Sequence, residues 1–412
     1  MRKHAKDNRP SPKPVIKAEL AEGKKTTRII FIAIFLALGI TLIAFSAAKL
    51  LGRESGFTEI EADKSPFSSF FVMNYDIGAS GAAASAEYRR VKEVYTAALD
   101  KYCKLFSSDT AYEGINNLFY LNSHPGERVT LAPELYAALS RMERAGDGRH
   151  YLGPVLEMYD VTFSCSEDGY AALSDPMKNG ALGAVAREAC AFANDRLAVS
   201  LEFFEDSSVT LHIGEGYRAF AEANALTRFI DLGIFENAFV VDAIADTLES
   251  EGLYLGSVSS YDGYARNLDT REGAKYSFSY YAKSGDKVYP VCDVAYEGAI
   301  ATCTLKSYPT GALDGFDFYL YSDGVSVHRI LDKSTAAPVA AVPELLLASK
   351  SEDTVSLVLR AYSALGGHEL RPDSLEGVFA AWLDGYTVKS QKLDSVTLTA
   401  PYADDKISFV IE

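Results

Sequence analysis

The residues best placed for chemistry in this sequence are carboxylates at the starts of predicted helices. Asp231 begins a tight acidic turn, Asp231-Leu232-Gly233, that runs into an apolar stretch ending at Asp242. Asp353 stands in the same way before a second apolar run. A carboxylate at such a position either caps the turn or helix through backbone amides or contacts a bound ligand. Both interpretations stay open for Asp231 and for Asp353 at the level of sequence.

The net charge limits the ligands that the chain can bind. The 412 residues include 40 Lys and Arg against 56 Asp and Glu, a net charge of -16. Residues 1–28 carry +6, which leaves -22 for residues 29–412. Nucleic acids are bound by clustered cations, so this acidic part excludes a nucleic-acid surface. A smaller polyanion would need backbone amides or a metal ion to offset the acidic surroundings.

Thiol and imidazole groups give little indication of a site. The cysteines have no Cys-x-x-Cys spacing and no two histidines are paired, which argues against zinc. An odd number of cysteines also argues against a disulfide framework, so we expect mostly small buried hydrophobic residues. The five cysteines are Cys103, Cys165, Cys190, Cys292 and Cys303. His150 and His328 are expected on the surface or on strands.

The first 48 residues predict a membrane anchor. Residues 1–28 form a basic tail with the composition of a disordered segment. Residues 29–48, IIFIAIFLALGITLIAFSAA, contain no charge and are long enough to cross a bilayer as a helix. The cations precede this segment, so the N-terminus is expected in the cytoplasm and the main domain outside the cell membrane. A cleaved secretory signal is the alternative, and the absence of a cysteine just after the apolar run argues against a lipoprotein.

The rest of the chain predicts one domain of the α+β class. After a polar linker (49–65), helical spacing begins at Ser85, the expected N-cap, and recurs in LAPELYAALSRMERA. LAVSLEFFEDSSVTLHI predicts a hairpin, and AFVVDAIADTLESEGL predicts a helix that stops at Gly252. Several strands follow, and EDTVSLVLRAYSAL predicts a last helix before Gly366. Helices and strands are interleaved without a second linker, so residues 66–412 are expected to fold as a single domain.

Eight segments, in order, resemble one protein family. They are FFVMNYDIG, AYEGINNLFYLN, YLGPVLEMYD, IDLGIFENAFVVD, DGYARN, AIATCTLKSY, HRILDKSTAAP and EDTVSLVLRAYSAL, spread over residues 66 to about 395. In these segments the chain resembles the FAD:protein FMN transferases, also called the ApbE or thiamine-biosynthesis lipoprotein family. The resemblance implies a single ApbE-like domain, related to the T-fold, which in this chain would follow the N-terminal transmembrane helix.

The resemblance also implies a magnesium-dependent reaction. Members of the family take FAD as substrate, a Thr or Ser hydroxyl of an acceptor flavoprotein attacks the FMN phosphorus, and AMP leaves. Mg²⁺ would be held by Asp353 and by the backbone carbonyl near Phe235. The motifs imply flavin or diphosphate contacts for Tyr112, Gly153, Pro154, Asp231, Gly233, Gly263, Thr302 and Thr335. They identify no catalytic base, and core packing is the alternative for Tyr112.

Departures from the family pattern fall at the positions that would contact the diphosphate. The family's Lys-Gly pair is Asn237-Ala238 here, which removes a cation and a glycine that permits close backbone approach. The Gly-Gly turn keeps only Gly263, with Asp262 before it. We therefore expect a site whose phosphate-binding half is eroded.

Two further departures concern the histidine and the metal. Arg329 stands at the family's histidine position, and His328 is one residue early, so on a strand it would point to the opposite face. Leu357 replaces the metal-binding threonine and has no oxygen to offer. Waters would have to complete a magnesium site at Asp353.

Three functions therefore remain open from the sequence. The first is a membrane-anchored flavin transferase, and the second is a degenerate member of the same fold that binds flavin or acts in assembly at the cell surface. The third is a surface module for an uncharged glycan, suggested by 25 tyrosines and the predicted location.

Overall fold

The computed structural model describes residues 56–412 apart from 64, 286, 368, 405 and 406. The predicted tail (1–28), the predicted membrane segment (29–48) and the start of the predicted linker lie outside these residues. The described residues form one compact unit. Within the described residues, no helix has both the length and the apolarity needed to cross a membrane.

The strands of the described domain fall into one large sheet and three small ones. They are β1 Gly56–Glu59, β2 Phe71–Ile77, β3 Arg128–Thr130, β4 Val199–Phe203, β5 Ser208–Ile213, β6 Gly256–Ser260, β7 Tyr264–Asn267, β8 Lys275–Ser284, β9 Lys287–Glu297, β10 Ile300–Lys306, β11 Phe318–Leu320, β12 Ser326–His328, β13 Glu344–Ser349, β14 Phe379–Asp384, β15 Thr387–Gln391, β16 Val396–Thr399 and β17 Val410–Ile411. The large sheet has the order β1-β2-β6-β7-β10-β13-β14-β15-β17. Its neighbouring pairs are antiparallel except β15 and β17, which run parallel.

The helices are grouped around this sheet. They are α1 Ala84–Phe106, α2 Leu118–Ser123, α3 Pro133–Ala145, α4 Gly153–Phe163, α5 Asp168–Ser174, α6 Gly180–Ala193, α7 Glu215–Ala223, α8 Glu236–Ser250 and α9 Thr354–Leu365. Short 3-10 turns lie at Arg149–Tyr151, Gly233–Phe235, Ala312–Phe316 and Pro372–Leu375. Helices and antiparallel strands share one domain, so the predicted α+β class is confirmed.

One face of the large sheet packs against helices. Val91, Tyr95 and Leu99 recur at four-residue intervals on α1 and are buried, because this spacing places them on one side of the helix. Helix α1 packs on α8, and α8 and α9 pack on the central strands. Side chains such as Cys303 of β10 complete this core from the sheet.

The opposite face of the large sheet is covered only in part. The small sheet β16-β9-β8 lies over one half and builds a second apolar core with Leu346, Phe379 and Val388. Over the strands β2, β6, β7 and β10 the same face carries polar side chains. The two faces of this sheet therefore meet different surroundings.

Several local predictions are confirmed because they depend on neighbouring residues alone. Pro133 stands in the first turn of α3, and β4 and β5 form the expected hairpin. Gly252, just after α8, has φ +73°, the left-handed conformation of a helix-ending glycine. The five cysteines are free, and all but Cys165 are buried.

Other local predictions are wrong. Ser85 lies inside α1, and the cap position is Ala83, which makes no side-chain hydrogen bond. His150 is fully buried, with Nε2 2.9 Å from the carboxylate of Glu143. Strand β1 and the buried Ile60 lie within the stretch expected as a linker, because β1 pairs with β2 and extends the large sheet.

Candidate active site

A cavity of about 370 Å³ opens at one end of the large sheet, where turns from distant parts of the chain meet. Its wall is built by the segment after α1 (107–112), the turn that leads into α8 (233–237) and three residues at the β6–β7 turn, Tyr261, Asp262 and Tyr264. The end of β10 and the segments 316–318 and 329–330 close the other side. The strand register places the start of β2, the β6–β7 turn and the end of β10 at the same end of the sheet, so these segments converge although they are remote in sequence.

Aromatic rings form much of the cavity wall. Phe70 lies at the centre, with its ring centroid 5.3 Å from that of Phe316 and 5.5 Å from that of Tyr261. Tyr112 and Phe318 also line the cavity. Such a wall favours a flat, largely apolar ligand that can stack between rings.

The polar part of the wall is dominated by carboxyl groups. Burial, with the charge of Asp317 nearby, raises the pKa of Asp262 to about 7. Burial also raises the pKa of Glu236 well above its ordinary value, helped by Asp231 and Asp109. Asp262 therefore holds its proton into the neutral range and can then donate a hydrogen bond, and the pKa of Glu236 is shifted in the same direction.

Asp262 is fixed by its neighbours. Asn237 donates a hydrogen bond from Nδ2 to Oδ2 of Asp262 at 3.0 Å, and the hydroxyl of Ser260 donates to Oδ1. Asn237 is the residue that replaces the family's lysine, so an amide-carboxyl pair stands where the sequence pattern leads us to expect a cation.

Arg329, which lines the cavity, and Arg228, which does not, are neutralised by three aspartates. Arg228 pairs with Asp160 at 2.8 Å and with Asp231 at 2.6 Å. Arg329 pairs with Asp160 at 2.6 Å and with Asp317 at 2.7 Å. Each guanidinium thus has two carboxylate partners, and the cluster as a whole carries no excess of positive charge for a phosphate.

Comparison with known proteins finds similarity in structure but none in sequence. No protein-family model and no curated protein sequence matches the chain. Among solved structures, the ApbE protein from Thermotoga maritima superposes with a TM-score of 0.56 at 15% identity, over 79% of this chain and 94% of that one. A histidine-to-glycine variant of the flavin transferase ApbE from Vibrio cholerae gives a TM-score of 0.52 at 14% identity, over 83% and 98% of the two chains.

The fold is ApbE-like. The resemblance predicted from the eight motifs is therefore confirmed for the architecture, since the likeness covers most of the described domain. At 14 to 15% identity the likeness concerns the backbone fold, so the chemistry of the site has to be argued from the side chains of this chain.

Two of the predicted flavin-binding residues reach the cavity of this ApbE-like fold. Tyr112 and Gly233 both line it. Gly233 has φ +55°, and the turn there is held by a 2.6 Å hydrogen bond from its amide to Asp231. Asp231 is 2% exposed, and its carboxylate also accepts a 3.0 Å hydrogen bond from the hydroxyl of Ser108. Asp231 therefore stabilises the turn from a buried position and is not exposed to a ligand.

Three other predicted residues have structural surroundings away from the cavity. Gly153 and Pro154 begin α4 and are buried, and a Cβ on Gly153 would lie 2.3 Å from the carbonyl oxygen of Arg228. Thr335 is exposed in a turn, where its amide and hydroxyl donate to Asp332. The surroundings of Gly153 and Pro154 are explained by the start of α4, and those of Thr335 by the turn at Asp332.

Gly263 and Thr302 line a different depression, on the sheet face opposite the helices. Strand β10 alternates, so that Cys303 and Leu305 face the helical core while Thr302 and Thr304 face away. Gly263 has φ +105° and lies against the backbone of Thr304. The structure thus separates these two residues from Tyr112 and Gly233.

Asp353, the predicted carboxylate ligand of magnesium, does not fit a metal ion in this arrangement. Both carboxylate oxygens of Asp353 are bound by the guanidinium of Arg141, at 2.6 and 2.7 Å, and Asp353 also caps α9 through the amide of Ser356. Leu357 is fully buried, and the ring of Phe235 stacks on Tyr362 with centroids 5.9 Å apart. No cluster of three His, Cys, Asp or Glu suited to a metal occurs in the described part of the chain.

The capping interpretation of Asp353 is the one that agrees with this geometry. Arg141 outweighs the effect of burial and holds the pKa of Asp353 at about 2, so the carboxylate stays charged for the ion pair. The guanidinium supplies the positive charge that a metal would have supplied.

Sequence reasoning missed several cavity residues. Glu236 was detectable, because it lies inside the IDLGIFENAFVVD motif beside Asn237. Phe70, Phe316 and Asp317 carry no local signal, since only the folded sheet brings their segments together.

Proposed function

We propose that this protein binds the isoalloxazine ring of a flavin in the aromatic cavity and does not catalyse metal-dependent FMN transfer. The observation that carries the second half of the proposal is the ion pair of Arg141 with Asp353, which takes up the carboxylate that a magnesium ion would need. The ApbE-like fold and the aromatic wall support the first half.

The cavity chemistry suits the ring system of a flavin better than its phosphates. Phe70, Tyr112 and Phe316 offer ring faces for stacking. Asp262, whose pKa of about 7 leaves it partly protonated at neutral pH, can donate a hydrogen bond to ring nitrogen or carbonyl acceptors of the flavin. A diphosphate would meet these acids and an Arg329 that two aspartates already neutralise.

Equilibrium binding tests this proposal. Quenching of flavin fluorescence should show binding of riboflavin, weaker binding of FMN and the weakest binding of FAD, since each phosphate adds negative charge near carboxyl groups. Magnesium should not reverse that order, and no AMP should form from FAD. Absence of binding for all three flavins would end the proposal.

A pair of variants localises the flavin. Tyr112→Ala should weaken riboflavin binding about tenfold, the loss of one ring contact in a cavity. Tyr170→Ala is the matched control, because Tyr170 is 65% exposed on α5 and lies outside the cavity lining. Equal affinity for the two variants would place the flavin elsewhere.

Magnesium-dependent transfer of FMN from FAD to a Thr or Ser of an acceptor protein is the second candidate function. It is favoured by the extent of the ApbE-like fold, which covers 94% of the Thermotoga maritima chain. AMP release that requires both Mg²⁺ and an acceptor would establish it and would show that Asp353 exchanges Arg141 for the metal.

We further propose that residues 29–48 anchor the protein in the cell membrane with the domain outside the cytoplasm. The support is the uncharged run of residues behind a basic segment. An alkaline phosphatase fused after Glu412 should be active in cells, and an inactive fusion would reverse the topology.

A further inference from the structure

A second depression lies on the uncovered half of the large sheet, and its chemistry differs from that of the cavity. We call it the polar groove; its floor is formed by Asn74, Ser257, Ser259, Asn267, Thr302 and Thr304, and its wall by Phe57, Tyr276, Phe278 and Tyr296. Its volume is about 680 Å³. It lies on the sheet face opposite the helices, so an inference about it does not depend on the flavin proposal.

The floor is a regular lattice of hydroxyl and amide groups. Strand register places Asn74 opposite Ser257, and Ser257 opposite Asn267. The next row brings Ser259 beside Ala265 and Ala265 beside Thr302. With strands about 4.8 Å apart, four strands spread these groups over roughly 14 Å, the width of an extended ligand.

Most of these floor groups have no hydrogen-bond partner among the residues that the structure describes. Among the described residues, none donates to or accepts from the side chains of Asn74, Ser257, Ser259, Thr302 or Thr304. Groups of this kind are available to a ligand that brings its own donors and acceptors.

The wall consists of aromatic rings that contact one another. The ring centroids of Tyr276 and Tyr296 are 5.6 Å apart, and those of Phe57 and Tyr276 are 5.9 Å apart. Asn267 ties the floor to the wall through a 3.0 Å hydrogen bond from its amide to the hydroxyl of Tyr296. Phe57 remains 52% exposed beside the groove.

The lining of the groove has few charged side chains. Lys275 is the one charged residue among its described lining residues, and it pairs with Glu297 at 3.3 Å. Charged residues make up 23% of the chain. A groove without net charge selects against phosphorylated, sulfated or strongly charged peptide ligands, because it offers them no compensating ion.

We propose that the polar groove binds an uncharged oligosaccharide. Sugar rings present apolar C–H faces, which stack on aromatic side chains, and equatorial hydroxyls, which both donate and accept hydrogen bonds. The aromatic wall matches the C–H faces, and the hydroxyl and amide floor matches the sugar hydroxyls. Because the lining offers no compensating ion, it favours an uncharged sugar over a charged one.

Calorimetric titration of the full-length chain tests the proposal. The probes are cellotetraose, maltotetraose and N-acetylchitotetraose, with the acidic hyaluronan tetrasaccharide as a charged comparison. At least one neutral probe should bind at millimolar concentration or below, and the acidic one should bind at least tenfold more weakly. Failure of all three neutral probes, or preference for the acidic one, would overturn the proposal.

Variants place that binding in the groove. Phe57→Ala removes an exposed ring of the wall and should weaken the bound probe at least tenfold, and Ser257→Glu should do the same by adding a charge to the floor. Tyr386→Ala is the matched control, because Tyr386 is 55% exposed, lies outside the groove lining and has its ring centroid 5.9 Å from that of Phe409. Thermal unfolding checks that each variant is folded. If Phe57→Ala and Tyr386→Ala bind the probe equally, the groove is not the site.

Discussion

Arg141 and Asp353 form a bidentate ion pair, with Nη1 2.7 Å from Oδ2 and Nη2 2.6 Å from Oδ1. The same guanidinium also donates to the hydroxyl of Ser356 at 2.7 Å. One side chain from α3 therefore ties down the start of α9 and supplies the positive charge that this carboxylate requires. A divalent metal would have to displace the Arg141 guanidinium from Asp353. Because Arg141 belongs to the same chain, it is always present at the carboxylate.

This ion pair predicts that stability is independent of magnesium. Wild-type protein should unfold at the same urea concentration in EDTA and in millimolar Mg²⁺, measured by circular dichroism. Arg141→Met should cost about 1–2 kcal/mol, less than for a fully buried pair because solvent reaches both side chains. Arg144→Met, an exposed position on the same helix, should change stability by under about 0.5 kcal/mol. Stabilisation of the wild type by Mg²⁺ would contradict the assignment.

Elements were predictable where the signal is local. The apolar spacing through Val91, Tyr95 and Leu99 gives α1, and Gly252 gives the end of α8, because both signals lie within a few residues of the structure they specify. The ion pair of Arg141 and Asp353 joins positions 212 residues apart and leaves no local trace.

The candidate site was predictable only in part, for a physical reason. Tyr112 and Gly233, which the motifs assign to one site, line the same cavity, because the turns that carry them lie at the same end of the domain. Thr302 lies outside this cavity, and the motif could not indicate this, because a motif does not state which face of the strand each residue occupies. The alternation along β10 sends Thr302 to the polar groove and Leu305 to the cavity.

Asp262 predicts a pH dependence of stability. Its pKa is raised to about 7 in the folded protein by burial and by Asp317, whereas an unfolded aspartate titrates near its ordinary value of about 4. The folded state therefore binds the proton more tightly. The stabilisation is fully present below about pH 4 and is lost as pH rises through about 7.

Asp262→Asn should flatten this profile, since the amide has no proton to lose. Urea unfolding at intervals between pH 5 and 8 measures the slope of unfolding free energy against pH. A residual slope is expected from Glu344, a fully buried acid whose pKa burial also raises to about 7, and Glu344→Gln should remove that part. An unchanged slope in Asp262→Asn would show that Asp262 ionises freely in the folded protein.

The conformation and surroundings of Gly263 predict that replacing it by alanine strongly lowers the free energy of unfolding. Its φ of +105° is one that other residues rarely adopt, and a Cβ would lie 2.6 Å from the carbonyl oxygen of Thr304. Gly263→Ala should therefore cost about 2–3 kcal/mol through backbone strain and a clash that requires backbone movement. Gly324→Ala separates the two causes: φ there is +84°, but no heavy atom lies within 4 Å of the added Cβ. If Gly263→Ala and Gly324→Ala lose the same unfolding free energy, the close contact with Thr304 adds nothing to the backbone strain.

The end of α7 predicts a stabilising substitution. Ala225 follows the helix with φ +54°, and the next residue, Leu226, donates its amide to the carbonyl of Ala221 at 2.9 Å, the hydrogen bond that ends many helices at glycine. An alanine in this conformation is strained by about 1 kcal/mol, so Ala225→Gly should raise the unfolding free energy by roughly that amount. Ala219→Gly, an exposed position inside the same helix, should lower it by about 1 kcal/mol. Urea unfolding of both variants gives opposite signs if the backbone conformation at Ala225 is the cause, and equal losses would refute the left-handed cap.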